Sequence, residues 1–313
     1  MSNCLFCYQP LVEHETDFHI SCSKKIFGQP HPPALPYSEE DLEPLAREVI
    51  ESQTAVTGVQ AKLSLHITGN DKKGAERRFT IVGLWGGYIL KPPTALYPQL
   101  PEVEDVTMHL SEIAKVKTAP HSLIRLKSGN LAYITKRIDR IKKGKLAMED
   151  MCQLTERLTE DKYQGSYEQI GKAIQKYSVT PGLDVVNFFE LVLFSFLTGN
   201  ADMHLKNFSL LEQPGLGMTL SPAYDLVNTT LVNPADEEEL ALNLNGRKKK
   251  IKKQDFVAAM NTLKMEEKQQ QNIFNKMLKA MPKWEELIER SYMSPAYKEQ
   301  YKKIITERMN RMQ

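Results

Sequence analysis

Two carboxylates and an amide occur at positions where they could support phosphoryl transfer. Asp202 and Asn207 lie five residues apart in a polar loop after an apolar segment, and Asp225 follows a later strand-like segment. In phosphoryl transfer one carboxylate accepts the proton of the attacking hydroxyl, while an amide and a second carboxylate hold Mg²⁺ on the nucleotide phosphates. The same residues are also typical of a polar turn that satisfies local backbone groups, so their spacing alone leaves both interpretations open.

Further residues appear upstream in the order in which a kinase uses them. Lys91 ends an apolar strand-like segment, where kinases carry the lysine that pairs with the α- and β-phosphates. Glu104 lies early in the next predicted helix and is the candidate ion-pair partner, and Thr57–Gln60 could form a turn that covers the phosphates. Each has an ordinary structural explanation, such as a surface lysine or an acid favoured by the helix dipole. Their joint order favours a kinase.

The elements that must position these residues change in character along the chain. Alternating residues predict strands in the first half, and helical spacing predicts one helix there. The predicted strands are Lys62–Ile67, Phe79–Val82, Tyr88–Leu90 and Leu131–Thr135, and the predicted helix is Val103–Ala114. A further helix is predicted from Ser38, as N-cap, to about Glu51. After about Ala147 the pattern is helical, except for a hairpin predicted over Phe208–Leu220.

This order predicts an α+β, two-lobed, protein-kinase-like fold with a β-rich N-lobe and a larger helical C-lobe. We place a small zinc-binding segment at residues 1–28 and a proline-rich linker at 29–36, since proline suits neither helix nor sheet interiors. The β-rich N-lobe then spans 37–140, and the helical C-lobe with the catalytic loop spans 141–313.

The loop around Asp202 also resembles a known motif. Asn200–Ser209 has the pattern N-x-D-x-H-x-K-N-F-S, which is similar to the motif of the HipA-like kinases, toxins of bacterial toxin–antitoxin modules. Other similar stretches follow in family order: Thr57–Ser64, Lys136–Arg140, Glu149–Gln153, Leu220–Asp225 and Leu244–Lys248. The sequence is therefore identified as a member of the HipA-like serine/threonine kinase toxin family, corresponding to the C-terminal kinase domain of HipA. We expect a short, HipT-like member in which a separate small protein replaces the N-terminal subdomain.

The resemblance implies roles for individual residues. Asp202 would be the catalytic base, with Asn207 and Asp225 as Mg²⁺ ligands. His204 stands where many protein kinases carry a lysine and would contact the phosphates, although a structural loop histidine is an equal alternative. The implied ATP-binding set is Gly58, Val59, Gln60, Lys91, Glu104, Lys136, Ile138, Asn207 and Asp225, with the backbone of 136–138 meeting adenine.

The resemblance also raises the question of self-inactivation. Family members often phosphorylate their own serine just before the turn at Gly58, which shuts the kinase down. Here Ala55 and Thr57 stand at the expected positions, and Ser52 lies too far away. Thr57 is the natural substitute because its hydroxyl can also accept a phosphoryl group. Autophosphorylation at Thr57 is therefore an open expectation.

The N-terminal segment contains two pairs with metal-ligand spacing. Cys4 and Cys7 form a C-x-x-C pair, and His19 and Cys22 form an H-x-x-C pair. Three thiolates and one imidazole can close a tetrahedral Zn²⁺ site with a structural role. The alternative is three reduced thiols in a loosely packed segment. His14 is a less well-spaced candidate ligand, and Cys152, in an apolar stretch, is expected to be a buried core thiol.

Composition limits the other classes of function. The net charge of +2 gives no overall field for nucleic acid, so direct nucleic-acid binding is not expected and the basic run Arg247–Lys253 is interpreted as a solvated connection. We see no signal peptide or membrane span, and expect a cytoplasmic protein.

The sequence therefore predicts an ATP- and Mg²⁺-dependent serine/threonine kinase that modifies another protein, for which the resemblance suggests an aminoacyl-tRNA synthetase, and that binds an antitoxin. The first alternative is a catalytically weak kinase-fold binding module in an antitoxin or transcription-regulating complex. The second is a zinc-anchored nucleic-acid binder, which the low net charge disfavours.

Overall fold

Short strands bounded by turns dominate the first part of the chain, and helices dominate the rest. The computed structural model describes residues 2–52, 61–69, 77–82, 85–141 and 144–313. The predicted turn residues Thr57, Gly58, Val59 and Gln60 lie outside these ranges. Of the helices in the described ranges, none is long and apolar enough to cross a membrane.

The strands and helices are numbered in chain order. The strands are β1 (Leu63–Thr68), β2 (Arg78–Ile81), β3 (Tyr88–Lys91), β4 (His121–Arg125), β5 (Leu131–Lys136), β6 (Arg140–Ile141), β7 (Gly144–Lys145), β8 (Met148–Asp150), β9 (Ser209–Gln213) and β10 (Gly217–Leu220). The helices are α1 (Ile20–Phe27), α2 (Glu39–Ser52), α3 (Leu100–Ile113), α4 (Met151–Leu154), α5 (Tyr167–Tyr177), α6 (Pro181–Leu197), α7 (Thr229–Val232), α8 (Lys253–Thr262), α9 (Glu267–Arg290) and α10 (Pro295–Asn310).

The first of two structural units contains a five-stranded antiparallel sheet. The unit comprises Met1–Asp105, Ala119–Ile138 and Arg290–Tyr292. Its strands lie in the order β2-β1-β3-β5-β4, so β3 is central and carries Lys91 at its end. Rings from α1, β2 and β3 pack edge to face beside the sheet: Phe27 lies 5.8 Å from Phe79, and Phe79 lies 5.4 Å from Tyr88. Such aromatic pairs stabilise a small core beyond the area that they bury.

The second unit is mainly helical. It comprises Val106–Thr118, Asp139–Glu289 and Met293–Gln313. Its most apolar helix, α6, is buried along most of its length, because most of its residues are apolar. A three-stranded sheet, β10-β9-β8, and the pair β6-β7 complete the unit. The strand β9 follows directly from the loop that contains Asp202 and Asn207, so the sheet fixes one end of that loop.

The structure confirms most of the predicted elements and corrects some. The helix expected to begin at Val103 begins at Leu100, because Pro101 is tolerated in a first helical turn, where its missing N–H has no intrahelical partner. The strands β4, β6, β7 and β8 were not predicted. In β4 the first four residues are all buried, so the alternation that marks a one-sided strand is absent. With three residues, β8 is too short to produce a pattern.

Candidate active site

A tight turn after α6 starts the loop that carries the predicted catalytic residues. Gly199 has φ +78°, a backbone conformation that favours glycine, and a Cβ atom at this position would lie 2.4 Å from Oδ1 of Asn228. Asn228 in turn accepts a hydrogen bond from the N–H of Leu231 at 2.9 Å and caps α7. The glycine therefore allows the chain to turn at the end of α6 and to lie against the start of α7.

The loop is held by its own hydrogen bonds. The N–H of Asp202 donates to Oδ1 of Asn200 at 3.1 Å, and the N–H of Ala201 donates to Oγ1 of Thr229 at 2.8 Å. Nδ2 of Asn207 donates to the carbonyl oxygen of Asp202 at 2.8 Å. Since the amide nitrogen is used in this bond, Oδ1 is the atom that Asn207 can offer to a cation. Amide and carboxylate oxygens are ligands that suit Mg²⁺, so Asn207 fits its predicted role.

A tyrosine that the sequence analysis did not single out contacts the predicted base. The hydroxyl of Tyr163 donates to Oδ1 of Asp202 at 2.6 Å, and the tyrosine side chain is 42% exposed. Burial and the negative charges of Asp202, Asp236 and Asp225 raise the pKa of the phenol well above its usual range. Tyr163 therefore stays protonated and remains a donor to the carboxylate at ordinary pH.

His204 lies beside this pair in a buried position. Its ring meets the Tyr163 ring edge to face, with centroids 5.0 Å apart, and only 6% of the residue is exposed. Burial lowers the pKa of His204, which outweighs the opposing attraction of Asp202. Its Nδ1 atom has no hydrogen-bond partner within the described part of the chain. The side chain is thus a neutral imidazole at neutral pH, unlike the lysine that many kinases carry at this point.

The second predicted carboxylate follows a constrained backbone segment. Asp225 has φ +61°, a left-handed conformation that Asp and Asn tolerate better than most residues. The preceding residue is fixed on both sides: the hydroxyl of Tyr224 lies 2.6 Å from Oγ of Ser209 and donates to the carbonyl oxygen of Lys206 at 3.0 Å. Because the charges of both Asp202 and Asp225 act on Tyr163 and His204, the structure brings the two carboxylates into one neighbourhood.

The first unit contains the predicted lysine–glutamate pair. Nζ of Lys91 lies 2.5 Å from Oε1 of Glu104, and the two side chains are 4% and 2% exposed. The ammonium also lies 5.4 Å from the centroid of the Tyr133 ring. Charges this deeply buried are stable only when paired, so the pair is an obligatory feature of this unit.

The predicted adenine-binding stretch lies at the end of β5. Lys136 is exposed, and Ile138 is half-buried. The N–H of Lys136 donates to the carbonyl oxygen of Pro120 at 2.8 Å, and that of Arg137 donates to Gly87 at 2.9 Å. Contact with an adenine base at this stretch would therefore use other backbone groups.

The stretch Glu149–Gln153 contains the cap of a helix. Asp150 and Gln153 form a reciprocal capping box at the start of α4. Asp150 also accepts a bond from Nζ of Lys206 at 3.0 Å, which ties the cap to the loop between Asp202 and Asn207. Asp150 therefore helps to position the loop.

The structure brings together the four predicted zinc ligands. One ligand atom from each of Cys4, Cys7, His19 and Cys22 lies within 4.8 Å of all the others. His14 is exposed and lies outside this group, whereas Cys152 is 2% exposed, as expected of a core thiol.

Acidic residues face the basic run. Lys248 pairs with Glu238 at 3.3 Å, and Lys249 pairs with Glu237 at 3.0 Å. The N–H of Ile251 also donates to Glu239 at 2.9 Å. The run therefore meets carboxylates of the same chain, in agreement with its interpretation as a solvated connection.

Comparison with known proteins identifies the family. The family model for the HipA-like C-terminal domain matches residues 54–285, which is most of the chain. The chain belongs to this family. Among relatives of the HipA-like chain, the protein named "Putative kinase Y4dM" of Sinorhizobium fredii is 34% identical over 207 residues. The match covers 62% of this chain and 49% of that relative, so the HipA-like chain spans about half of the relative's length.

Solved structures show the same fold. The HipA-like chain is similar to a structure of the Shewanella oneidensis toxin–antitoxin system with HipA, HipB and operator DNA, with 21% identity and a TM-score of 0.66 over 82% of this chain and 64% of that chain. It is also similar to the Helicobacter pylori proinflammatory kinase CtkA, with 18% identity and a TM-score of 0.52 over 72% of this chain and 86% of that chain. The predicted α+β, kinase-like fold and the predicted family are thereby confirmed.

Proposed function

We propose that this HipA-like chain is an ATP- and Mg²⁺-dependent protein kinase that phosphorylates a serine or threonine hydroxyl of another protein. The observation that carries the proposal is the buried ion pair between Lys91 and Glu104 at 2.5 Å. A lysine–glutamate pair of this kind must be in place for an active protein kinase, where the lysine contacts the nucleotide phosphates. A surface lysine at a strand end would not need a buried carboxylate thirteen residues away.

The second unit supplies the groups that the reaction itself requires. In the proposed step the carboxylate of Asp202 accepts the proton of the substrate hydroxyl. The hydroxyl oxygen then forms a bond to the γ-phosphorus, the bond from that phosphorus to the β–γ bridging oxygen breaks, and ADP leaves. Asn207 and Asp225 would hold Mg²⁺, which neutralises charge on the phosphates when bound. His204, neutral because of its burial, would donate one hydrogen bond to a phosphate oxygen.

The remaining parts of the proposal rest on family resemblance. Gly58, Val59 and Gln60 would cover the phosphates, and the backbone of residues 136–138 would meet adenine. We include an antitoxin, a small protein in place of the N-terminal subdomain and a cytoplasmic location in the same proposal. The solved complex of HipA with HipB and operator DNA supports the class of partner, and an aminoacyl-tRNA synthetase is the suggested substrate class.

Transfer of labelled phosphate from ATP with Mg²⁺ tests the proposal. The wild-type chain is expected to label itself or a protein of a bacterial lysate, and Asp202→Asn is expected to abolish labelling. Glu285→Gln, an acid-to-amide change at an exposed position of α9, is the matched control and should label normally. Absence of labelling by the wild-type chain, together with retained ATP binding, would instead support the binding-module alternative.

The same experiment addresses autophosphorylation. If Thr57 replaces the usual serine, a phosphopeptide containing Thr57 is expected after incubation with ATP, and Thr57→Val should remove it. A labelled chain whose Thr57 peptide remains unmodified would show that this residue is not the acceptor.

A further inference from the structure

The N-terminal segment contains a cluster of four potential ligands that the proposed kinase chemistry does not use. Sγ of Cys7 lies 3.4 Å from Nδ1 of His19, and Sγ of Cys22 lies 3.7 Å from the same atom. Sγ of Cys4 completes the group, and all four cysteines of the chain are free thiols. With zinc–sulfur and zinc–nitrogen bonds of about 2.3 Å and 2.0 Å, ligand atoms of a tetrahedral site stand about 3.5–3.8 Å apart. The observed spacing is close to this geometry.

The histidine of the cluster is oriented as a metal ligand would be. Its Nε2 atom lies 3.0 Å from the carbonyl oxygen of Pro10. Because a carbonyl oxygen can only accept, Nε2 carries the proton, and the lone pair of Nδ1 faces the thiols. Metal-bound histidines usually donate their second N–H to a carbonyl or carboxylate, which fixes the tautomer. The carbonyl of Pro10 provides this support here.

Two backbone features bring the pairs together. Between Cys4 and Cys7 the chain forms a tight turn, in which the N–H of Tyr8 donates to the carbonyl oxygen of Cys4 at 2.9 Å. The second pair lies at the start of α1, where His19 is the N-cap and Cys22 is in the first turn. The turn and the helix start thus place the two ligand pairs next to each other.

The turn at Cys7 also contacts the first turns of α3. The side chain of Tyr8 is fully buried, and its hydroxyl donates to Oδ2 of Asp105 at 2.6 Å. The other carboxylate oxygen of Asp105 lies 2.8 Å from Nδ1 of His121. Asp105 directly follows Glu104, the partner of Lys91. The position of the cysteine turn is thus linked through one buried hydrogen bond to the residue beside the ion pair.

We propose that Cys4, Cys7, His19 and Cys22 bind one structural Zn²⁺ ion, and that the metal-closed segment holds Tyr8 against Asp105 and so fixes Glu104 beside Lys91. All four coordination positions are filled by protein ligands, so the ion has no open position for catalysis. A segment of this length cannot build a full core of its own, and metal binding supplies the missing stability. The importance of Glu104 for activity rests on the proposed function, whereas the metal site does not.

Metal analysis of the purified chain tests the first half of the proposal. One zinc ion per chain is expected for the wild type, and Cys7→Ser should lose it. Cys152→Ala, a change at a buried thiol outside the cluster, should keep its zinc. Replacement of zinc by Co²⁺ should give thiolate-to-metal absorption. A chain without stoichiometric metal, or one whose mass shows a disulfide between two of these cysteines, would overturn the site.

Hydrogen exchange of backbone amides tests the second half without reference to activity. Removal of zinc from the wild type with a chelator is expected to speed exchange in the first turns of α3 by about tenfold or more, while amides of α9 serve as the internal reference. Tyr8→Phe should keep its zinc and show the same faster exchange in α3. This variant therefore tests the link even if Cys7→Ser does not fold. Unchanged exchange in α3 after metal loss would refute the link to Glu104. Failure of phosphate transfer in a chain that passes both tests would count only against the kinase proposal.

Discussion

The hydroxyl of Tyr163 donates a hydrogen bond of 2.6 Å to Oδ1 of Asp202. One oxygen of the proposed catalytic base is thereby held by a neighbouring phenol, which leaves the other oxygen for the proton of the substrate hydroxyl. The raised pKa of this phenol means that Tyr163 remains protonated, and so a donor to Asp202, at neutral pH. We therefore expect Tyr163 to position the carboxylate of Asp202.

Removal of this hydroxyl should affect turnover more than binding. Tyr163→Phe is expected to lower kcat by about tenfold, because a carboxylate that is free to rotate spends less time in the reactive orientation. KM for ATP should change little, since Tyr163 contacts the base. Steady-state kinetics measures both values, with Tyr177→Phe at the partly exposed end of α5 as the control. An unchanged kcat would show that Asp202 does not need this bond.

Substitutions of Lys91 and Glu104 should have non-additive effects on the free energy of unfolding. Lys91→Met or Glu104→Gln alone is expected to lower the free energy of unfolding by about 3 kcal/mol, since each leaves one buried charge without its partner. The double variant should recover part of this loss, because neither charge then remains. Urea denaturation of the four proteins measures the coupling. Strictly additive losses would mean that the two side chains do not stabilise each other.

The burial of His204 should make stability depend on pH. Its pKa in the folded chain lies below the ordinary value of 6.5, so between these two values the unfolded chain binds more protons than the folded chain. The free energy of unfolding should therefore be highest above pH 6.5 and fall as the pH drops through this window. His204→Asn should show a weaker decline. Urea denaturation at a series of pH values provides the test, and identical slopes for both proteins would contradict it.

Two glycines near α6 should respond in opposite ways to the same change. Gly199→Ala is expected to destabilise the chain by about 2 kcal/mol and to lower kcat, because the backbone is left-handed and the new Cβ atom would meet Asn228. Gly182→Ala is the matched control in the same helix region, where a Cβ atom would meet nothing within 4 Å. This variant should be neutral or more stable by about 0.5 kcal/mol. Equal stability of the two variants would argue against strain at Gly199.

The predicted elements were most accurate where the local pattern is strong. The strands β1, β2, β3 and β5 and the hairpin of β9 and β10 lie within one or two residues of their predicted bounds. Short apolar or alternating runs bounded by turn residues suffice to predict such elements. The four buried residues at the start of β4 give no alternation, which is why the sequence could not distinguish this strand from a buried loop or helix.

The sequence by itself determined the residue types of the site and their order. The two cysteine-containing pairs could be identified from spacing. Asp202, Asn207, Asp225 and Lys91 were identified from their order along the chain together with the resemblance to the HipA-like motif, because their spacing alone also fits polar turns and a surface lysine. Spacing is a local property, and a catalytic loop or a pair of metal ligands within one turn is encoded locally.

Only the tertiary structure decided which of these residues meet. Lys91 could have been a surface lysine, yet it is buried against Glu104. Tyr163 lies thirty-nine positions from Asp202, and Tyr8 lies ninety-seven from Asp105, so no local pattern relates either pair. The physical reason is that these contacts form through the packing of distant segments around shared cores. The energy of such packing depends on the whole unit and cannot be inferred from a stretch of sequence.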